Sequence, residues 1–256
     1  MKFKNIKDFL FFYLSVPKCV GCKRRLLRTE KALCADCLSE HENLLLRNCS
    51  ICSLPLNRCS CSNKYLDLHY VHKVIKVFRY LNTDEVVPSN NLIYSLKRDN
   101  RQDVLEFVAE ALCDAIEHSL KSPSECVFVN VPRRRKERAR YGIDHSELLA
   151  KYIAKRFSAE YYQPLIPKSK KAQKKTQARE RLENAKFELR KNAKRLDGKT
   201  VVIVDDVITT GASMGACSVL LHSLAAKKIV GAALAIAYKD SYIPFSTDDR
   251  FFNMKK

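Results

Sequence analysis

Acidic residues are scarce in this chain of 256. Only 28 Asp and Glu stand against 47 Lys and Arg, giving a formal net charge of +19 at pH 7. That imbalance favours polyanionic partners, such as pyrophosphate, nucleic acid or both. Long apolar runs are also missing, and nothing approaches the length of a membrane span. Lys2, Lys4 and Lys7 precede an apolar stretch from Phe9 to Val16, which superficially resembles a signal peptide. The stretch is short, Asp8 abuts it, no small-residue cleavage site follows, and Lys18 precedes Cys19. The expectation is a short apolar or amphipathic helix docked on the fold of a cytoplasmic chain, with peripheral membrane attachment as the alternative. No glycine is followed at the required spacing by Gly-Lys-Ser/Thr, which excludes a Walker-type phosphate loop. No internal repeat is present beyond the cysteine pairs described below.

What is present is concentrated. Residues 133–140 hold six basic side chains against one acidic, and residues 168–195 hold twelve against three. The first cluster includes Arg133, Arg134, Arg135, Lys136 and Arg138; the second includes Lys174 and Lys175. The second lies between two core segments with little apolar periodicity until its end. A long polar connection of this kind reads as a mobile lid, or as solvated Lys-rich surface. The overall hydrophobic content of 46% suits a globular protein with a substantial core.

Eight of eleven cysteines fall between residues 19 and 61, as Cys19-x2-Cys22, Cys34-x2-Cys37, Cys49-x2-Cys52 and Cys59-x-Cys61. A two-residue spacer lets both sulfurs of a knuckle reach one metal, and four thiolates close a tetrahedral zinc site. Sequential pairing places Cys19, Cys22, Cys34 and Cys37 on one zinc and Cys49, Cys52, Cys59 and Cys61 on a second. Cross-braced pairing is the competitor, and the second site is the weaker of the two because its last spacer is one residue. Disulfides suit secreted chains rather than this one. An iron–sulfur cluster would use the same thiolates. Cys113, Cys126 and Cys217 sit in apolar patterns and read as core.

The rest of the chain alternates apolar strands with amphipathic helices. Strands are expected at residues 71–81, 126–131, 201–204 and 230–237. Helices are expected at 103–120 and 144–157, together with one at 84–96 broken by Pro88. This order predicts an α/β fold with a mostly parallel sheet flanked by helices. Val201 to Val204 form the most strand-like run, and Asp205 and Asp206 stand where it would end. A loop of small residues, Thr209-Thr210-Gly211-Ala212-Ser213, then opens a helix carrying Met214, Cys217, Leu220, Leu221 and Leu224. Ligands of open α/β sheets sit at the carboxyl ends of strands. N–H groups at a helix start and the hydroxyls of Thr209, Thr210 and Ser213 suit a phosphate. The paired carboxylates suit hydroxyls. A ribose 5′-phosphate offers both groups.

Val201 to Ser213 resembles the 5-phosphoribosyl 1-pyrophosphate (PRPP) motif of type I phosphoribosyltransferases at all thirteen positions. The chain as a whole resembles the ComF family of competence proteins, over roughly residues 9–238. That likeness rests on the cysteine module, on Ile93-Tyr94-Ser95-Leu96-Lys97-Arg98, and on two longer blocks. One runs from Val131-Pro132 to Tyr141-Gly142-Ile143-Asp144-His145-Ser146-Glu147-Leu148-Leu149-Ala150. The other is Thr176-Gln177…Arg181…Asn184…Phe187. Where the family has Arg-Gly-Phe-Asn-Gln, this chain has Tyr141-Gly142-Ile143-Asp144-His145, which loses an arginine and turns an amide into an acid.

The resemblance implies a zinc module at 1–63, a phosphoribosyltransferase-like domain at 64–240 and a tail at 241–256. It implies Mg²⁺-PRPP, or a related phosphoribosyl compound, at Asp205, Asp206, Val207, Thr209, Thr210, Gly211, Ala212 and Ser213. Asp205, Asp206, Arg133 and Arg134 become the candidate catalytic residues. Arg133, Arg134, Arg135, Lys136, Arg138, Lys174 and Lys175 become candidates for pyrophosphate or single-stranded DNA. The implied role is handling of incoming single-stranded DNA in natural transformation. An active phosphoribosyltransferase in salvage or modification is one alternative. A zinc-module adaptor for a helicase or recombination mediator is the other.

Overall fold

The computed structural model describes residues 17–81, 87–99, 101–133, 142–168 and 187–237. The expected N-terminal helix and the tail after Lys239 lie outside the described residues, as do Arg134, Arg135, Lys136, Arg138, Lys174 and Lys175.

Five parallel strands form the main sheet: β1 (Val71–Arg79), β2 (Val127–Asn130), β3 (Glu160–Tyr161), β6 (Thr200–Ile208) and β7 (Lys228–Ile236). They lie in the order β1-β7-β6-β2-β3. A separate antiparallel pair joins β4 (Leu165–Pro167) to β5 (Phe187–Leu189). Parallel neighbours need crossovers, and helices supply them. α1 (Ala35–Leu45) and α2 (Lys64–Leu68) flank the cysteine segments. α3 (Pro88–Arg98), α4 (Gln102–Ser119), α5 (His145–Arg156) and α6 (Ala212–Ser223) complete the layers.

The sheet is buried on both faces. Val202 and Val204 of β6 face a cluster built from α3, α4 and α5, and Cys19, Cys34 and Cys37 pack into it while Cys22 stays exposed. Val201 and Ile203 face a second cluster with α2 and α6, which takes in Cys49 and Cys59. This two-sided burial is why the β6 core reads as an uninterrupted apolar run.

Two expectations are corrected. Pro88 does not break a helix but begins one: it sits in the first turn of α3, where a missing N–H costs nothing. β6 does not end at Val204 but runs to Ile208, because Val207 and Ile208 keep pairing with Ala235 and Ile236. The two aspartates therefore stand on a strand rather than just past it. The end of the long basic connection also contains a strand, β5, with Phe187 buried.

The chain leaves β6 toward β7 on one side and leaves β2 toward β3 on the other. Neighbouring strands with diverging exits leave a crevice between their carboxyl ends, the place where open α/β sheets take ligands.

Candidate functional site

β2 and β6 bring the site together. After β2 the chain turns through Pro132 to Arg133, whose guanidinium Nη2 donates to Asp206 Oδ2 across the crevice. Lys97, in the last turn of α3, places its Nζ 3.2 Å from the same oxygen. The Val207 N–H donates to Asp206 Oδ1 at 2.8 Å. Asp205 Oδ1 accepts from Ser146 Oγ at 3.0 Å and from the Asp206 N–H at 2.8 Å.

The two carboxyls consequently differ in charge. Burial, and then the negative charge of Asp206, push Asp205 up to about 7. Burial also works against ionisation of Asp206, but Lys97 and then Arg133 outweigh it and hold this carboxyl below its ordinary value. Near neutral pH the pair carries one firm negative charge and one that is shared with a proton.

The loop after β6 is shaped for close approach. Gly211 has φ +86°, in the left-handed region, and directly precedes α6. A side chain there would collide with Leu66 of α2, which packs beneath it. Thr210 Oγ1 accepts from the Ala212 N–H at 3.3 Å. Thr209 is exposed at the loop tip, while Thr210 and Ser213 are half-buried. This combination offers hydroxyl donors and helix-start N–H groups to an anion.

Asp144, which replaces an amide of the resembled block, is buried and serves as N-cap of α5, accepting from the Glu147 N–H at 3.2 Å. Its other oxygen, Oδ2, accepts from the Arg133 N–H at 3.1 Å, and Arg133 Nε lies 4.0 Å from the capping Oδ1. The acid thus anchors the arginine that reaches Asp206.

The cysteines gather in two groups of four: Cys19, Cys22, Cys34 and Cys37, and Cys49, Cys52, Cys59 and Cys61. In each, all sulfurs lie within 4.8 Å of one another. This is the sequential pairing. All eleven cysteines are free, and Cys22 Sγ lies 3.6 Å from Cys34 Sγ. Four thiolates ~2.3 Å from one zinc would be spaced similarly, at ~3.8 Å. Backbone N–H groups already point at the sulfurs, from Cys34 to Cys19 at 3.2 Å and from Cys61 to Cys59 at 3.3 Å. Both groups fit and could hold zinc. In the first module Glu30 accepts from Arg24 and from the N–H groups of Leu27 and Ala35, which closes the loop between the knuckles. Beside the second group, Lys76 is buried and donates to the Cys61 carbonyl at 2.7 Å.

Residues 144–253 match the phosphoribosyl transferase domain family. The chain is 24% identical over 223 residues to "Competence protein F" of Haemophilus influenzae, covering 83% of this chain and 93% of that one. The chain is ComF-like and carries a phosphoribosyl transferase domain. Among solved structures, an adenine phosphoribosyltransferase is similar at 20% identity and TM-score 0.39, covering 54% of this chain and 72% of that one. The Saccharomyces cerevisiae adenine phosphoribosyltransferase is similar at 18% identity and TM-score 0.37, covering 67% of this chain and 88% of that one.

In this ComF-like chain, sequence reasoning brought Arg133 to the carboxylates but gave no role to Lys97, Ser146, Asp144 or Lys76. Lys97 and Ser146 had a signal, since both fall in the blocks that carry the family likeness. Lys76 had none, because it occupies an ordinary polar position in a strand.

Proposed function

We propose that this ComF-like protein binds Mg²⁺-PRPP, or a related phosphoribosyl compound, at the β6–α6 loop and handles single-stranded DNA in natural transformation. One zinc ion would sit in each four-cysteine group and hold the knuckles that pack on the sheet. The observation that carries the ligand reading is the crevice itself. Two carboxylates, a left-handed glycine and an open helix start converge where β2 and β6 diverge.

In this reading Asp205 and Asp206 accept from the ribose hydroxyls. The loop from Thr209 to Ser213 receives the 5′-phosphate. Lys97 and Arg133 stand beside the carboxylates, where they would meet the pyrophosphate. Mg²⁺ would offset the charge of the ligand's own phosphates. The DNA role rests on the likeness to a competence protein together with the net charge of +19.

Titration calorimetry with Mg²⁺-PRPP tests the site. Asp205→Asn combined with Asp206→Asn should weaken binding by roughly 2 kcal/mol, about 30-fold. Unchanged affinity in a folded double variant removes the assignment. A second reading, an active phosphoribosyltransferase, draws on the two cations beside the carboxylates, which would stabilise departing pyrophosphate. Release of pyrophosphate from PRPP in the presence of free bases would select it.

A further inference from the structure

The opposite pole of the sheet is built for a different contact. There, the amino-terminal ends of β1, β2, β6 and β7 border a cleft of about 440 Å³. Lys73, Lys121, Lys227 and Lys228 line it, against a single acid, Glu125. Lys121, Lys227 and Lys228 are exposed. Four ammonium groups around one concave surface repel one another and concentrate positive potential inside it.

At the same edge stands an aromatic pair. Tyr70 immediately precedes Val71, which pairs with Ile229, the neighbour of Lys228. Its ring lies 3.9 Å from that of His222, with only 10° between the planes. Tyr70 is 43% exposed and His222 is also exposed. Tyr70 has φ +67° because it follows the C-cap of α2, a left-handed helix ending in which its N–H donates to the Asp67 carbonyl at 3.3 Å. Burial does not explain the placement, since both rings face water. Leu68 and Val219 extend the same exposed apolar ground, and Leu68 is 77% exposed.

A basic cleft beside flat exposed rings is the pairing that binds single-stranded nucleic acid without sequence preference. Amines follow the phosphates, and the rings stack the bases. We infer that single-stranded DNA crosses this amino-terminal edge, with its backbone along Lys73, Lys121, Lys227 and Lys228 and a base on the Tyr70–His222 stack. This inference rests on the DNA-handling reading above and relocates the contact. The strand would lie at the pole away from the phosphoribosyl crevice, so both ligands could be held at once.

Fluorescence anisotropy with a labelled oligothymidine tests it on the full, zinc-loaded chain. Lys121→Glu, Lys227→Glu and Lys228→Glu together should weaken binding at least 10-fold. They should also make the log–log salt slope shallower by about 2, at ~0.7 per lost phosphate contact. Tyr70→Gly removes the ring while suiting the left-handed backbone, so the fold is retained. It should cost about 10-fold, or ~1.4 kcal/mol, with the slope unchanged. An abasic strand of equal length should bind the wild type and the Tyr70→Gly variant alike. PRPP should neither displace the strand nor bind more weakly to either variant.

If the wild type binds single strands at ~50 mM salt and both variants bind equally well, this path is wrong while the DNA-handling reading stands. Displacement of DNA by PRPP would overturn it in the same way and place the strand at the crevice. Preference for duplex DNA with no loss in Tyr70→Gly would also overturn it. Failure of the wild type to bind any single strand would overturn the DNA-handling reading itself.

Discussion

Gly211→Ala separates two costs that the β6–α6 loop imposes. The first is backbone strain. At φ +86° an L-residue with a Cβ pays roughly 1–2 kcal/mol, partly offset by the lower entropy of the unfolded chain. The second is steric. An added Cβ would lie 2.8 Å from Leu66 Cγ, 3.0 Å from its Cδ2 and 3.1 Å from its Cδ1. Leu66 is fully buried under the loop and has nowhere to swing, so overpacking adds roughly 1–3 kcal/mol. The expected total is about 3 kcal/mol, which for a domain of this size lowers Tm by roughly 6–12 °C. Gly142→Ala is the control. Its φ is +73°, but among the described residues nothing lies within 4 Å of its Cβ position, so only the strain of about 1 kcal/mol applies. Urea unfolding of the two variants side by side measures the difference. Adding Leu66→Ala to Gly211→Ala should be clearly less costly than the sum of the two, because the new methyl occupies part of the vacated space. A Gly211→Ala loss no larger than that of Gly142→Ala would show that Leu66 does not support the loop, and the account of its shape would fail.

The remaining predictions concern charge and metal. Elemental analysis should find two zinc ions per chain, and chelation should unfold the segment around residues 19–61 ahead of the sheet. No zinc, or native disulfides by mass spectrometry, would contradict the sulfur geometry. Lys76→Met takes a buried cation away from a four-thiolate group that keeps a net negative charge with zinc bound. The second ion should then be extracted about 10-fold more readily while the first is unaffected. For Asp205 the sign follows from its raised pKa of about 7. Between about pH 4 and pH 7 the native chain holds a proton that the unfolded chain has lost, so this group's contribution to stability falls as pH rises. Asp205→Asn keeps the Oδ1 that accepts from Ser146 and Asp206 and removes the ionisation. Denaturation across that window should show the wild type losing stability relative to the variant as pH increases, and parallel curves would refute the shift. His41 and His145 act in the opposite direction. Burial lowers both to about 4, so stability lost below about pH 6.5 should be partly regained in His41→Gln.

The strand–loop–helix was legible because its signals are local. A two-sided buried strand must be apolar at every position, a tight anion loop needs small residues, and both sit within thirteen residues. The sulfur groups were legible for the same reason, since knuckle spacing is a property of three or four consecutive positions. What escaped notice depends on distant segments. Pro88 looks like a breaker unless Val87 is known to precede a helix that starts there. Asp205 and Asp206 look like the end of a strand unless Val207 and Ile208 are known to pair with β7. Asp144 is the clearest case. As a departure from the resembled block it turns an amide into an acid, which puts anion binding at that turn in doubt. In the fold, the same oxygens cap α5 and accept from Arg133, so the substituted acid orients a cation rather than repelling the ligand. Lys97 then faces Asp206 from a third element. The state of the carboxylate pair is therefore set jointly by α3, the turn after β2 and α5, none of which can be aligned on β6 by any periodicity within the chain. Local pattern fixes where a ligand can enter. The charge that it meets there is a property of the assembled crevice.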